Sequence, residues 1–178
     1  MSKKVERPPL TTRGWIINAL CIAVGMLARI YSPSFGPYVI SPYTGTVLAG
    51  LLLTRPKFRE TVGIAVVTGI AATITSKAAF PTNWVSDVFT FVMLWPLITV
   101  KAVETMKGIV KVVYVYAQAV IVTLVDWFWF FVFIALALGM PASSVVAFIP
   151  GIVIGSFIVA PIGAWVLYFA AERVYHRS

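Results

Sequence analysis

The sequence predicts an all-α membrane bundle of six transmembrane helices, one domain over residues 1–178, with both termini cytoplasmic. Three observations carry this. Of the 178 residues, 60% are hydrophobic and only 11% charged, against about 25% charged in a soluble domain. The apolar residues fall into six stretches, each close to the roughly 17 to 25 residues a helix needs to cross a bilayer. Fourteen residues are Lys or Arg, and all but Arg29 and Lys77 lie in four short clusters between those stretches. The clusters are Lys3, Lys4, Arg7 and Arg13; Arg55, Lys57 and Arg59; Lys101, Lys107 and Lys111; and Arg173 with Arg177. Basic residues favour the cytoplasmic side of a span, so the chain must leave and return between successive clusters. A multi-pass protein of the plasma membrane, in contact with membrane lipid, is expected.

The first span, 14–31, follows a basic segment as a signal peptide does, but Arg29 interrupts the place where a small-x-small cleavage site should stand, so the segment is expected to be retained. The second, 38–53, is at the lower limit of length. The third and fourth cover 61–80 and 85–103. The fifth and sixth, 110–139 and 145–171, run long, which a tilted or protruding helix accommodates. About thirty residues cannot supply two crossings and a turn, so the fifth stays single. The inner connections 54–60 and 104–111 are charged, whereas the outer ones, 32–37 and 81–86, carry the Pro, Gly and Asn of turns. The sequence shows no internal repeat of the kind that builds inverted-repeat transporters.

Arg29, Lys77, Asp87 and Asp126 escape the basic clusters. A charge within the bilayer is costly and marks a pairing or a functional pathway. A rise of about 1.5 Å per residue from the nearest basic residue of the same span puts them roughly 24, 27, 21 and 22 Å above the cytoplasmic end. Two cations and two anions on four helices at one depth predict a polar layer in the outer half of the membrane. That layer is either a ligand pocket or a pair of salt bridges, and Arg29 can also snorkel from its span end.

Aromatic residues gather at the same level. Trp129, Phe130 and Phe133 share a helical face with Asp126, and Trp84 and Phe91 share one with Asp87. Interfacial aromatic belts and lipid-facing packing account for many such residues. A carboxylate beside flat rings nevertheless suits a cationic or zwitterionic ligand carrying a ring, through ion pairing and stacking. An aromatic amino acid fits, its carboxylate taken by Arg29 or Lys77. On the first span, Asn18, Ile22, Gly25 and Arg29 form one line, and Ala19 and Ala23 form a small-x-x-x-small pair about 100° away, which lets another helix approach closely. Gly151 and Gly155 repeat the device in the sixth span, where internal packing is expected.

Several functions are excluded. Charges at span ends do not make the basic stripe of a nucleic-acid binder. Cys21 is alone, so neither a disulfide framework nor a paired-cysteine metal site is expected. The chain has no phosphate-binding loop and no H-E-x-x-H, and its one histidine, His176, lies near the end. Asp87 and Asp126 are in no recognisable peptidase motif. A non-enzyme without cofactor or metal is expected.

A short six-helix chain with Thr12-Arg13 at its inner end and Ala19-x-x-x-Ala23 resembles the substrate-binding S-components of energy-coupling factor transporters. The stretch Val67-Thr68-Gly69-Ile70, followed by Phe80-Pro81, Asn83 and Asp87, is similar to the predicted tryptophan transporter family within that group. It departs at Thr82 and Trp84, where that family tends to glycine or glutamine, which leaves a vitamin open as substrate. The resemblance implies a transmembrane coupling subunit on the Ala19 and Ala23 face, two ATPase subunits, and a lid at 32–37. It implies binding of a small-molecule substrate by Arg29, Asn83, Asp87 and Asp126, with Trp84, Trp127 and Trp129 as stacking surfaces. Two other readings stay open: a membrane scaffold held by salt bridges, and an autonomous carrier with Asp126 as its proton site.

Overall fold

A computed structural model describes residues 9–32, 34–35, 38–75, 83–100, 103–139 and 141–175. Helix α1 spans Thr12–Tyr31, α2 Tyr43–Thr54, α3 Phe58–Thr75, α4 Asn83–Met93, α5 Trp95–Thr99 and α6 Gly108–Leu138. The last helical run joins α7, Ile149–Ile154, through a π-helical turn at Gly155–Val159 to α8, Ala160–Tyr175. Short 3₁₀ segments lie at Val103–Thr105 and Ala142–Phe148. Strands β1, Ser34–Phe35, and β2, Tyr38–Val39, pair antiparallel between α1 and α2.

The predicted helical class holds, and four helices are long and apolar enough to cross a membrane: α1, α3, α6 and the run ending in α8. The other two expected spans are shortened. Tyr38 and Val39 pair with Phe35 and Ser34 of β1 instead of joining a helix, and Pro42 stands immediately before α2, which is left with 12 residues. In the fourth span Pro96 lacks the N–H that would bond to Val92, so the helix breaks at Leu94 into α4 and α5. Large apolar side chains point outward, Ile74 and Leu136 each 78% exposed, while polar side chains such as Asn18, Thr68, Asp87 and Thr90 are buried. That inversion suits a bundle whose surrounding solvent is hydrocarbon.

Helix α2 is the axis. Every residue from Tyr43 to Leu53 is buried, inside a ring in which α1 packs on α3, α3 on α4, α4 on α6, α6 on α8 and α8 on α1. Small residues set the closest approaches. A Cβ on Gly45 would overlap the Ala160 carbonyl, one on Gly163 would stand 2.5 Å from Pro42 Cβ, and one on Gly69 would stand 2.7 Å from the Trp84 backbone.

One end of the bundle gathers the basic clusters. Arg13 at the start of α1 donates to the Val174 carbonyl at the end of α8. Arg55, the left-handed cap of α2 at φ 48°, donates to the Thr99 carbonyl at 3.2 Å, and Lys111 pairs with Glu172 at 2.6 Å. Glu60 ties the segment before α1 to the connection between α2 and α3: its carboxylate accepts from Leu10 N and Lys57 N, both at 2.7 Å. The second bond is the reach-back half of a capping box on α3, whose loss costs about 1 kcal/mol, and the first satisfies a further amide. Glu60→Ala is therefore expected to destabilise the protein by about 2 kcal/mol, read as a lower melting temperature in detergent; an unchanged value would mean that water replaces both bonds.

Candidate functional site

The site is built where α2 begins. Because α2 starts only at Tyr43, its first side chain stands in the half of the bundle away from the basic end, level with charges on three neighbouring helices. The Tyr43 hydroxyl donates to Asp87 Oδ1 of α4 and stands 3.5 Å from Asp126 Oδ2 of α6. The Arg29 guanidinium, from α1, lies over the Tyr43 ring at 4.6 Å from its centroid, within electrostatic reach of both carboxylates. A cation over a phenol ring is attracted by its quadrupole. Thr90 Oγ1 stands 3.4 Å from Asp126 Oδ1, and the Ser86 hydroxyl hydrogen-bonds the same carboxylate. Gly25 permits the arrangement, since a Cβ there would stand 3.1 Å from Tyr43 Cα.

The donors do not fill the acceptors. Asp87 is 0% exposed, yet its Oδ2 has no hydrogen-bond partner among the described residues, and neither does the buried Nε of Arg29. A buried polar group without a partner costs on the order of 1 to 3 kcal/mol, more when it is charged. A free acceptor on a carboxylate and a free donor on a guanidinium, in one cluster, match an ammonium and a carboxylate of a single small solute.

Aromatic side chains flank Asp126 along α6 in two groups. Trp129 stacks on Phe133 at 5.7 Å, and Phe89 of α4 contacts both. Trp127 stacks on Phe131 at 5.8 Å, with Phe148 edge-on to Phe131 at 4.9 Å. Trp129 Nε1 is buried without a partner among the described residues. Beneath the cluster the interior is mainly apolar: Val47, Leu48, Leu51, Phe91, Ile98, Val115, Ala119 and Val122 are at most 1% exposed and belong to one core, with Thr68, Gln118 and Thr123 buried among the same helices.

The structure thus brings Arg29, Asp87 and Asp126 together. Trp127 and Trp129 lie on α6 beside Asp126. Trp84 is 43% exposed and meets Gly69 through its backbone, so its ring is not among the buried groups. Asn83 opens α4; its side chain, like Lys77, lies outside the described residues. Ala19 and Ala23 are exposed on α1, whereas Gly151 and Gly155 are buried as expected. Tyr43, Ser86 and Thr90 are additions that the sequence reasoning did not single out. Thr90 lies three residues beyond Asp87 on one helical face, a spacing that identifies it, whereas an aromatic at a span entrance reads as interfacial belt.

No family model, curated protein or solved structure matches the chain.

Proposed function

We propose that this chain is the substrate-binding membrane subunit of an ATP-driven importer of the energy-coupling factor type, holding a small zwitterionic nutrient with an aromatic ring, tryptophan first among them. One observation carries the reading: around Tyr43, a buried carboxylate oxygen and a buried guanidinium nitrogen stand without hydrogen-bond partners among the described residues. The ammonium of an amino acid goes to Asp87 Oδ2 and its carboxylate to Arg29 Nε, while Ser86 and Thr90 hold Asp126. The rings on α6 supply the stacking surface. On this reading the chain makes six passes, α2 and the α4–α5 pair being the short ones, with both termini on the cytoplasmic side. The meeting of Arg13, Arg55, Lys111 and Glu172 at one end supports this, because the positive-inside rule assigns that end to the cytoplasm. The chain is no enzyme; a coupling subunit on the Ala19 and Ala23 face and two ATPases supply the drive.

The mainly apolar layer below the cluster favours a binder over an autonomous carrier. Below the cluster toward the basic end lie Leu48, Leu51, Phe91 and Val122, with Thr68, Gln118 and Thr123 buried among the same helices, and a charge in that layer is costly. Vesicles bearing this protein alone are therefore expected to show tryptophan binding without accumulation. Accumulation driven by a pH gradient would establish the carrier instead. The decisive binding test is the melting temperature of detergent-purified protein with tryptophan, other amino acids and vitamins at about 100 μM. A ligand at a hundredfold excess over its dissociation constant contributes about 2.7 kcal/mol. A vitamin moving the melting temperature in place of tryptophan would replace the substrate, and no shift with any compound would leave the cluster as structural ion pairing.

A further inference from the structure

Ser156 is a buried hydroxyl that the cluster described above does not use. It is 0% exposed, and its Oγ has no hydrogen-bond partner among the described residues. It stands in the π-helical turn Gly155–Val159. Such single-turn widenings recur at functional sites because they re-aim a side chain at the cost of regular hydrogen bonding. The widened turn closes on its own bond, from the Ala160 amide to the Gly155 carbonyl, and is supported from outside by the Tyr116 hydroxyl of α6, which donates to the Phe157 carbonyl at 2.9 Å.

Its depth and facing are fixed by neighbours. Lys111 and Glu172 form one ion pair, so they share a level; helical rise from that level puts Asp126 and Ser156 about 22 and 24 Å above it. Directly before Ser156, a Cβ on Gly155 would stand 3.8 Å from Trp127 Nε1. One turn after it, Ala160 meets Gly45, two residues below Tyr43. Ser156 therefore lies at the depth of the polar cluster, between the glycine that faces Trp127 of α6 and the turn that meets the entrance of α2.

We infer that Ser156 is a specificity-determining residue of the same site, its hydroxyl accepting a hydrogen bond from an N–H on the ligand's aromatic ring. This rests on the functional reading above. The charged ends of the solute are engaged by Asp87 and Arg29; the aromatic end then falls beside Trp127, where a neutral hydroxyl that both donates and accepts is the one polar group available among the described residues of that turn. A ring that carries an N–H, such as indole, is thereby preferred over a purely hydrocarbon or N-alkylated ring, because a site built to bond an N–H discriminates strongly against its absence.

The test compares tryptophan with 1-methyltryptophan on parent protein and on Ser156→Ala. The parent is expected to prefer tryptophan, and Ser156→Ala to bind tryptophan about tenfold more weakly and to lose the preference. The melting temperature without ligand is expected to stay level or rise, since the hydroxyl removed has no partner among the described residues; a purely structural hydroxyl would lower it. A second variant, Ser156→Cys in a Cys21→Ala background, is expected to react with a small methanethiosulfonate and to be protected by tryptophan. If tryptophan stabilises the parent but Ser156→Ala binds it unchanged, or the cysteine reacts equally with ligand present, the inference fails and the functional reading stands. If tryptophan leaves the parent unmoved, that reading fails and this inference with it.

Discussion

Asp87→Asn is expected to lower tryptophan affinity by roughly 100-fold or more while leaving the protein folded. The amide is isosteric with the carboxyl, and its oxygen still accepts from the Tyr43 hydroxyl that now donates to Oδ1. The position of Oδ2, without a partner among the described residues, becomes an NH₂ that faces the ligand ammonium donor to donor. Removing one member of a buried charge pair costs about 2 to 5 kcal/mol, and about 2.7 kcal/mol is a hundredfold in affinity. Folding responds in the other direction. An ionised side chain that is fully buried in a membrane bundle carries a desolvation cost that the amide lacks. The melting temperature without ligand is therefore expected to hold or rise, as measured by detergent-phase thermal unfolding, with isothermal titration for affinity. A fall in stability with no ligand effect in the parent would mean that Asp87 serves the bundle as a salt-bridge member, the scaffold reading.

The charged part of this site was legible without tertiary information because a charge inside an apolar stretch stands out and its depth follows from counting residues. Arg29, Asp87 and Asp126 were separated by that count into one layer, and the structure gathers them around one phenol. The neutral part was not legible in the same way. Tyr43, Ser86, Thr90 and Ser156 are residue types common in membrane helices, and only contacts between helices distinguish a hydroxyl in a site from one that back-bonds its own helix, as Thr68 does to the Ile64 carbonyl at 2.8 Å.

Helix lengths divided along similar lines. Hydropathy over 38–53 sums apolar side chains and does not register that Pro42 begins the helix or that Tyr38 and Val39 pair as a strand. The consequence is functional, for a second helix starting at Tyr38 would carry Tyr43 inside its first turns instead of presenting it at the helix entrance. The break at Leu94 was available from Pro96. The π turn at Gly155 has no comparable mark in the sequence: a Gly-Ser pair occurs at kinks but is also ordinary in membrane helices.

Gly45→Val is expected to prevent recovery of a folded bundle, the largest stability effect of any single substitution on α2. The first atom added to Gly45 would fall on the Ala160 carbonyl and stand 3.0 Å from Ala164 N. These are backbone atoms of another helix, so no rotamer change relieves the overlap. Nor can α8 draw back as a unit, because Gly163 already seats it against Pro42, in a contact where an added Cβ would meet Pro42 Cβ at 2.5 Å. Helix α2 has no free direction to retreat, being buried along Tyr43–Leu53. Overpacking a well-filled core costs about 1 to 3 kcal/mol where side chains can adjust; with backbone as the obstacle the cost exceeds about 4 kcal/mol, the exceptional range for one substitution. Gly63→Val on α3 is the matched control, since nothing stands within 4 Å of its added Cβ. Size-exclusion profiles and melting temperatures of the two variants decide the matter: a monodisperse Gly45→Val with parental stability would show that α2 and α8 are not wedged together. Gly45→Ala, which adds the one overlapping atom, links this packing to the site. Tyr43 lies two residues away at the mouth of the helix, so any shift that the overlap forces on α2 is passed to the hydroxyl that donates to Asp87. Close packing of small residues between α2 and α8 is thus what holds the phenol between the two carboxylates, and the ligand site depends on a contact made entirely by glycine, alanine and proline.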